Sequence, residues 1–192
     1  MNRWFWLRHG PTHQKVLTGQ RDVPADLTNK EQIQRLNAYL PRPALIFSSD
    51  LVRASATADT LTSGRGSVTI APDIREFDFG DWDGKHFSEI AEENPTLSRA
   101  YWETPGDVAP PNGESWNMVS ARVWDFISRT EAEHSGRDII AVAHIGVILT
   151  VLQRALSTTP YKALSHDIAP LSVTEIQNTP DGWSTRSINH LP

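Results

Sequence analysis

Twice in this chain an apolar run ends in a histidine and, within two residues, a glycine. Trp4-Phe5-Trp6-Leu7 leads into Arg8-His9-Gly10, and Ile139-Ile140-Ala141-Val142-Ala143 leads into His144-Ile145-Gly146. Continuous apolar character over so few residues predicts strands buried on both faces, as in a parallel sheet covered by helices. Breakers directly after each run place the polar residues at the carboxyl ends of the strands, where open α/β sheets bind ligands. If the two strands are neighbours, His9 and His144 lie a few ångströms apart.

Between these strands the pattern alternates. Leu27–Leu40 reads as a helix with Thr28 as N-cap, Glu31 closing a capping box, and Ile33, Leu36 and Leu40 on one face. Ala44–Ser48 reads as a strand, and Ser49 or Asp50 caps a helix over Leu51–Leu61 that carries Arg53 in its first turn. Val68–Ile70 is a short strand. Trp116, Val119, Val123, Phe126, Ile127 and Thr130 recur at helical spacing over Ser115–Glu133, and a further helix is expected over Val147–Leu156. Leu171–Gln177 and Trp183–Ile188 read as a closing hairpin.

Two stretches are irregular enough to suggest function. His13–Asp26 is a turn-rich loop expected to lie over the site, which makes Lys15, Thr18 and Gly19 candidates for substrate contact. Lys85–Ser115 holds two short helical stretches, about Phe87–Glu93 and Thr96–Glu103, between Pro- and Gly-rich turns. It reads as an insertion covering the site and setting specificity.

A chain of 192 residues with no cysteine fits one domain spanning 1–192, with 85–115 as the inserted segment. A net charge of -5 speaks against nucleic acid as the main partner, and the amino terminus offers neither a membrane span nor a signal sequence, so the cytoplasm is the default location. Oligomeric state is left open, a homodimer included.

Chemically, Arg8, His9, Arg53, Glu76 and His144 each fall at a strand end, at a helix start or in a loop that can share one pocket. Two arginines and two histidines would repel one another without a ligand carrying about two negative charges, which a phosphoryl group brings. Between Pro72 and Gly84, carboxylates alternate with Phe77, Phe79 and Trp82, and apolar surroundings raise a carboxyl pKa. No Gly-x-x-x-x-Gly-Lys-[Ser/Thr] or Gly-x-Gly-x-x-Gly loop is present, no histidine or acidic spacing suits a metal, and no cofactor is implied. Phosphoryl transfer to a side chain remains.

Arg8-His9-Gly10, Arg53 within Ser49-Asp50-Leu51-Val52-Arg53-Ala54, Glu76 before Phe79-Gly80, Gly113-Glu114-Ser115, and Ala143-His144 followed by Gly146 resemble the histidine phosphatase, or phosphoglycerate mutase-like, superfamily. The match runs over nearly the whole chain in the right order. It implies a single three-layer α/β domain with a mainly parallel sheet of about six strands between helices. It also implies metal-independent hydrolysis of a small phosphorylated metabolite through a phosphohistidine. By the same resemblance His9 is the nucleophile, Arg8, Arg53 and His144 hold the phosphoryl oxygens, and Glu76 is the general acid that then helps activate water. Two positions depart from the family pattern. Lys15 stands where many relatives have an asparagine near the phosphate, and Phe77 stands where the mutases have an arginine for the substrate carboxylate. The segment Glu76–Gly84 is most similar to the phosphatase branch that includes the α-ribazole phosphatases. Mutase-type transfer and a non-catalytic phospho-ligand module are the alternatives.

Overall fold

The computed structural model describes residues 1–192. Six strands form one sheet: β1 (Arg3–Arg8), β2 (Leu45–Ser48), β3 (Val68–Ile70), β4 (Asp138–Ala143), β5 (Val173–Thr179) and β6 (Gly182–His190), in the order β3-β2-β4-β1-β5-β6. β1, β2, β3 and β4 run parallel, and β5 is antiparallel to both β1 and β6. Seven helices accompany them: α1 (Lys30–Tyr39), α2 (Val52–Asp59), α3 (Phe87–Glu93), α4 (Pro95–Glu103), α5 (Trp116–Glu133), α6 (Ile145–Ala155) and α7 (Pro160–Ala163). None is long and apolar enough to cross a membrane.

The period-two geometry of a strand explains the three layers. Trp4 and Trp6 of β1, with Ile139, Ala141 and Ala143 of β4, point to one face and join α5 and α6 in the larger core. Phe5 and Leu7, with Ile140 and Val142, point to the other face and meet Ile33 and Leu36 of α1 and Ala54 and Ala58 of α2. Both central strands are therefore apolar at every interior position; Arg3 and Asp138 pair at their amino ends, and their carboxyl ends lead into Arg8-His9 and His144.

The helix starts differ from expectation at three places. Thr28 does not cap α1, because its backbone N–H and its hydroxyl both donate to Asp26 (3.0 and 2.6 Å); Asn29 caps instead, accepting from the Gln32 N–H at 3.1 Å. Glu31 is then free to pair with Arg35 one turn on. Neither Ser49 nor Asp50 takes the N-cap of α2. Asp50 is gripped by Arg75, and the Val52 N–H donates to Asp22 of the 13–26 loop at 2.7 Å. Finally, α6 starts at Ile145, so Gly146 lies inside its first turn and not before it. α7 was not anticipated at all.

Candidate active site

Register does most of the assembly. Arg8 lies opposite Ala143 in the parallel β1–β4 pair, so the next residues of the two strands, His9 and His144, leave the sheet side by side. Their ring centroids are 5.1 Å apart and both side chains are buried. β2 lies on the other side of β4 and feeds α2, which brings Arg53 over the same sheet edge.

Arg53 is 1% exposed and sits between the imidazoles, its Nε 3.2 Å from both His9 Nε2 and His144 Nδ1. Its remaining nitrogens donate to the carbonyls of Arg21 (2.8 Å) and Gly19 (2.5 Å) in the 13–26 loop. That loop is tied down in turn, because the Gly19 and Arg21 N–H groups donate to the two carboxylate oxygens of Asp83 (both 3.1 Å).

These contacts fix the tautomers. His9 Nδ1 lies 2.7 Å from the Gly10 carbonyl and must carry the proton, which leaves the lone pair on Nε2, where the Arg53 Nε–H meets it. His144 Nδ1 accepts from Arg53, so its proton sits on Nε2, a buried donor with no protein partner. Arg8 gives one terminal nitrogen to the Ile168 carbonyl at 2.6 Å, while its buried Nε has no partner either. A lone pair on one imidazole, two unpartnered buried donors and a buried guanidinium are what a tetrahedral oxyanion would satisfy.

Electrostatics agree. Burial, reinforced by Arg53 and Arg8 and opposed by the Gly10 carbonyl, holds His9 down to about 3. Burial also drives His144 well below an ordinary imidazole, with His9 and Arg53 adding to the effect. Both rings are thus neutral, as attack by one and donation by the other require.

Glu76 comes from the segment after β3 and is 3% exposed. Its carboxylate accepts from the Phe77 N–H (3.0 Å) and from the Gly146 N–H in the first turn of α6 (3.1 Å). Burial nevertheless pushes its pKa up, against those two N–H groups and the cations Arg53 and Arg8. A helix start favours the carboxylate, yet desolvation is the larger influence, so Glu76 is poised to hold and release a proton.

The carboxylate can reach that position only because residue 146 is glycine. A Cβ there would come within 2.4 Å of Glu76 Oε1 and 2.5 Å of the Phe77 ring. The backbone of the segment is held by Arg122 of α5, which donates to the carbonyls of Asp73 (2.7 Å), Arg75 (2.8 Å) and Glu76 (3.0 Å). Arg122 is itself clamped by both oxygens of Glu114 at 2.8 Å, and Glu114 accepts from the Asp78 N–H at 2.9 Å. Burial raises the Glu114 pKa, but Arg122 and the Asp78 N–H outweigh it and keep the carboxylate ionised.

Beside Arg8 and Glu76 opens a cavity of about 430 Å³. Thr18 lines it, while its hydroxyl donates to the Val16 carbonyl. Gly19 does not offer its N–H to the cavity; its role is to hold Arg53. Lys15, expected to contact the substrate, is exposed and lies outside the residues that line this cavity. Phe87, Tyr101, Trp102 and Pro105 of the 85–115 segment form part of the wall. No three His, Asp or Glu side chains are grouped to hold a metal ion.

Residues 4–191 match the family model of the histidine phosphatase superfamily (branch 1). The chain belongs to that superfamily. This histidine phosphatase is 30% identical over 172 residues to the adenosylcobalamin/α-ribazole phosphatase of Escherichia coli, covering 86% of this chain and 84% of the relative. It superposes on the α-ribazole phosphatase of Shigella flexneri with a TM-score of 0.83 at 26% identity, over 98% of this chain and 96% of that one. Against a mycobacterial glucosyl-3-phosphoglycerate phosphatase the TM-score is 0.84 at 26% identity, over the full length of both. The family makes the chain an enzyme of the phosphatase class, and relatives with such different substrates leave the leaving group to be read from the cavity.

Sequence reasoning named His9, His144, Arg8, Arg53 and Glu76, and all five meet here. It left Glu114 without a role, weighed Asp83 only among the carboxylates of the Pro72–Gly84 segment, and missed Arg122 and the packing role of Gly146. No sequence signal marks Arg122, because its partners apart from Glu114 are backbone carbonyls.

Proposed function

We propose that the chain hydrolyses phosphomonoesters of small metabolites without a metal ion, through a phosphohistidine at His9. His9 Nε2 forms a bond to phosphorus while the bond from phosphorus to the leaving oxygen breaks. Glu76 gives its proton to that oxygen, and the alcohol departs. The ionised Glu76 then takes a proton from water as the water oxygen attacks phosphorus, which releases inorganic phosphate and frees His9. Arg8, Arg53 and His144 Nε2 hold the three remaining phosphoryl oxygens, whose charge grows in the transition state.

One observation carries this reading. The Gly10 carbonyl and the Arg53 Nε–H together leave His9 neutral with its lone pair on Nε2, while buried donors on the neighbouring residues Arg8 and His144 are without partners. Mutase activity has less support, because Phe77 lines the cavity where the mutases have their carboxylate-binding arginine.

The test is to trap the intermediate. Wild type mixed with para-nitrophenyl phosphate and quenched in alkali should carry an acid-labile phosphate on His9, absent from His9→Ala, with turnover indifferent to EDTA. Activity that collapses in EDTA and returns with a divalent metal would overturn the mechanism. Relocated rather than released phosphate would favour the mutase.

A further inference from the structure

The cavity next to the reacting groups has a composition that the chemistry at phosphorus does not need. Aromatic rings make a continuous wall leading away from Glu76. Phe77 stacks on Phe79 (centroids 5.8 Å apart, planes 14° from parallel), Phe79 lies 6.5 Å from Trp102, and Trp102 lies 5.7 Å from Phe87. Trp116 flanks Phe77 at 5.8 Å on the inner side. Phe87 is 55% exposed at the start of α3 although its ring lines the cavity. A large apolar side chain held open at a cavity mouth costs free energy that an apolar ligand would recover.

Charge in the lining is as informative. The charged side chains there are Arg8 and Glu76, both engaged at phosphorus, and Asp167; His166 stands beside Asp167. No lysine and no second arginine lines the wall. A carboxylate or second phosphate on the substrate would find an aspartate and rings in place of a cation, at the cost of its hydration. Thr12, Gln14 and Thr18 offer neutral hydrogen-bonding groups that suit hydroxyls.

We propose that this site selects phosphomonoesters whose alcohol is uncharged and ring-bearing, a flat apolar group seating against Phe79, Trp102 and Phe87. The inference rests on the phosphatase reading and adds its substrate class. The 85–115 segment is then the specificity element, since it supplies Phe87 and Trp102. A cavity of about 430 Å³ has room for a ring system besides the ester. Rings pair offset or edge-on with the wall at centroid distances like those the wall rings already keep among themselves.

The experiment holds the leaving group constant. Propyl phosphate and 3-phenylpropyl phosphate release alcohols of nearly equal basicity, so a difference in kcat/KM reports the ring alone. Burial of a phenyl group is expected to favour the phenylpropyl ester about 10- to 100-fold, with 3-phosphoglycerate below both. Trp102→Ala should lower kcat/KM for 3-phenylpropyl phosphate by a larger factor than for propyl phosphate, removing most of that preference. Asp167→Lys should raise the 3-phosphoglycerate rate. A wild-type ratio near one, a preference for 3-phosphoglycerate, or a Trp102→Ala loss equal for both esters would overturn the inference. Calorimetry with propylphosphonate and 3-phenylpropylphosphonate separates the two levels. Tighter binding of the ring-bearing phosphonate without hydrolysis of any ester would sink the phosphatase reading and uphold the cavity's selectivity. Hydrolysis without ring preference in either assay would sink the selectivity alone.

Discussion

Gly146→Ala tests whether Glu76 is the acid and whether α6 positions it. The added methyl would lie 2.4 Å from Glu76 Oε1 and 2.5 and 2.7 Å from two carbons of the Phe77 ring. Ordinary contact begins near 3.4 Å, so the carboxyl group has to retreat by about 1 Å. Alanine is the better helix former by about 1 kcal/mol, which offsets part of the strain, and the fold should survive with little change in Tm. The hydrogen bond from the Gly146 N–H to Oε2, 3.1 Å long, would stretch or break. A 1 Å misplacement of a reacting group costs on the order of 100-fold in rate.

The loss should depend on the leaving group. An alkoxide needs the proton, whereas para-nitrophenolate is a weak base and needs little help, so phosphorylation of His9 should be slowed far less with the nitrophenyl ester than with an alkyl phosphate. Stopped-flow burst kinetics on the nitrophenyl ester and steady-state phosphate release from propyl phosphate measure the two. In a Glu76→Ala background the Gly146→Ala change should add almost nothing, because the group it displaces is gone. Equal losses on both substrates, or full additivity with Glu76→Ala, would refute the assignment.

Stability should fall on acidification through His9. Its folded pKa, held at about 3 by burial and the arginines, lies below the unfolded value of 6.5, so between these limits the unfolded chain binds the extra proton. This contribution is complete above pH 6.5 and shrinks as pH drops, by about 2 kcal/mol at pH 5. Urea titrations at pH 7 and 5 should show wild type losing more than His9→Gln by that order, and equal losses would contradict the burial argument. Arg122→Lys removes the fork that holds the carbonyls of Asp73, Arg75 and Glu76, and should lower propyl phosphate turnover about 10-fold or more while sparing the nitrophenyl burst; a fall in Tm with no such split would mean a purely structural role. Lys15→Ala should leave inhibition by inorganic phosphate unchanged at low salt, and a marked weakening would place that lysine at the pocket in the liganded enzyme.

The parts of the site that could be read from the sequence are those set by local rules. His9 and His144 were legible because a buried strand advertises itself by an unbroken apolar run and the first polar residue after it marks the sheet's carboxyl edge. Their proximity needed only that β1 and β4 be adjacent, which the register confirms. Arg53 was legible as the first turn of a helix after a strand. Choices among equivalent local partners were not legible. Thr28 and Asn29 are both competent caps, and the outcome turned on Asp26 engaging Thr28 first. Gly146 looked like a helix breaker because its purpose is steric and belongs to a carboxylate 70 residues away.

Arg122 was missed for a related reason, since its partners are backbone carbonyls, which every residue possesses and no sequence pattern distinguishes. Those carbonyls complete a circuit that explains why the centre can be rigid although loops build much of it. Arg122 fixes the backbone of Asp73, Arg75 and Glu76, and Gln20 donates to the Glu76 carbonyl from the 13–26 loop at 3.2 Å. Asp83, in the same segment as Glu76, holds Gly19 and Arg21, whose carbonyls hold Arg53, whose Nε lies against both histidines. The loop carrying Glu76 and the loop carrying the supports of Arg53 are thus cross-linked, and each donor in this circuit has an acceptor whose position another bond already sets. The ordering cost of the reacting groups is met when the chain folds rather than when the ester binds, which is the condition under which charged donors stabilise a transition state without reorganising. Cutting the circuit at Asp83 should for that reason loosen Arg53 and Glu76 together, although Asp83 touches neither the phosphoryl oxygens nor the leaving group.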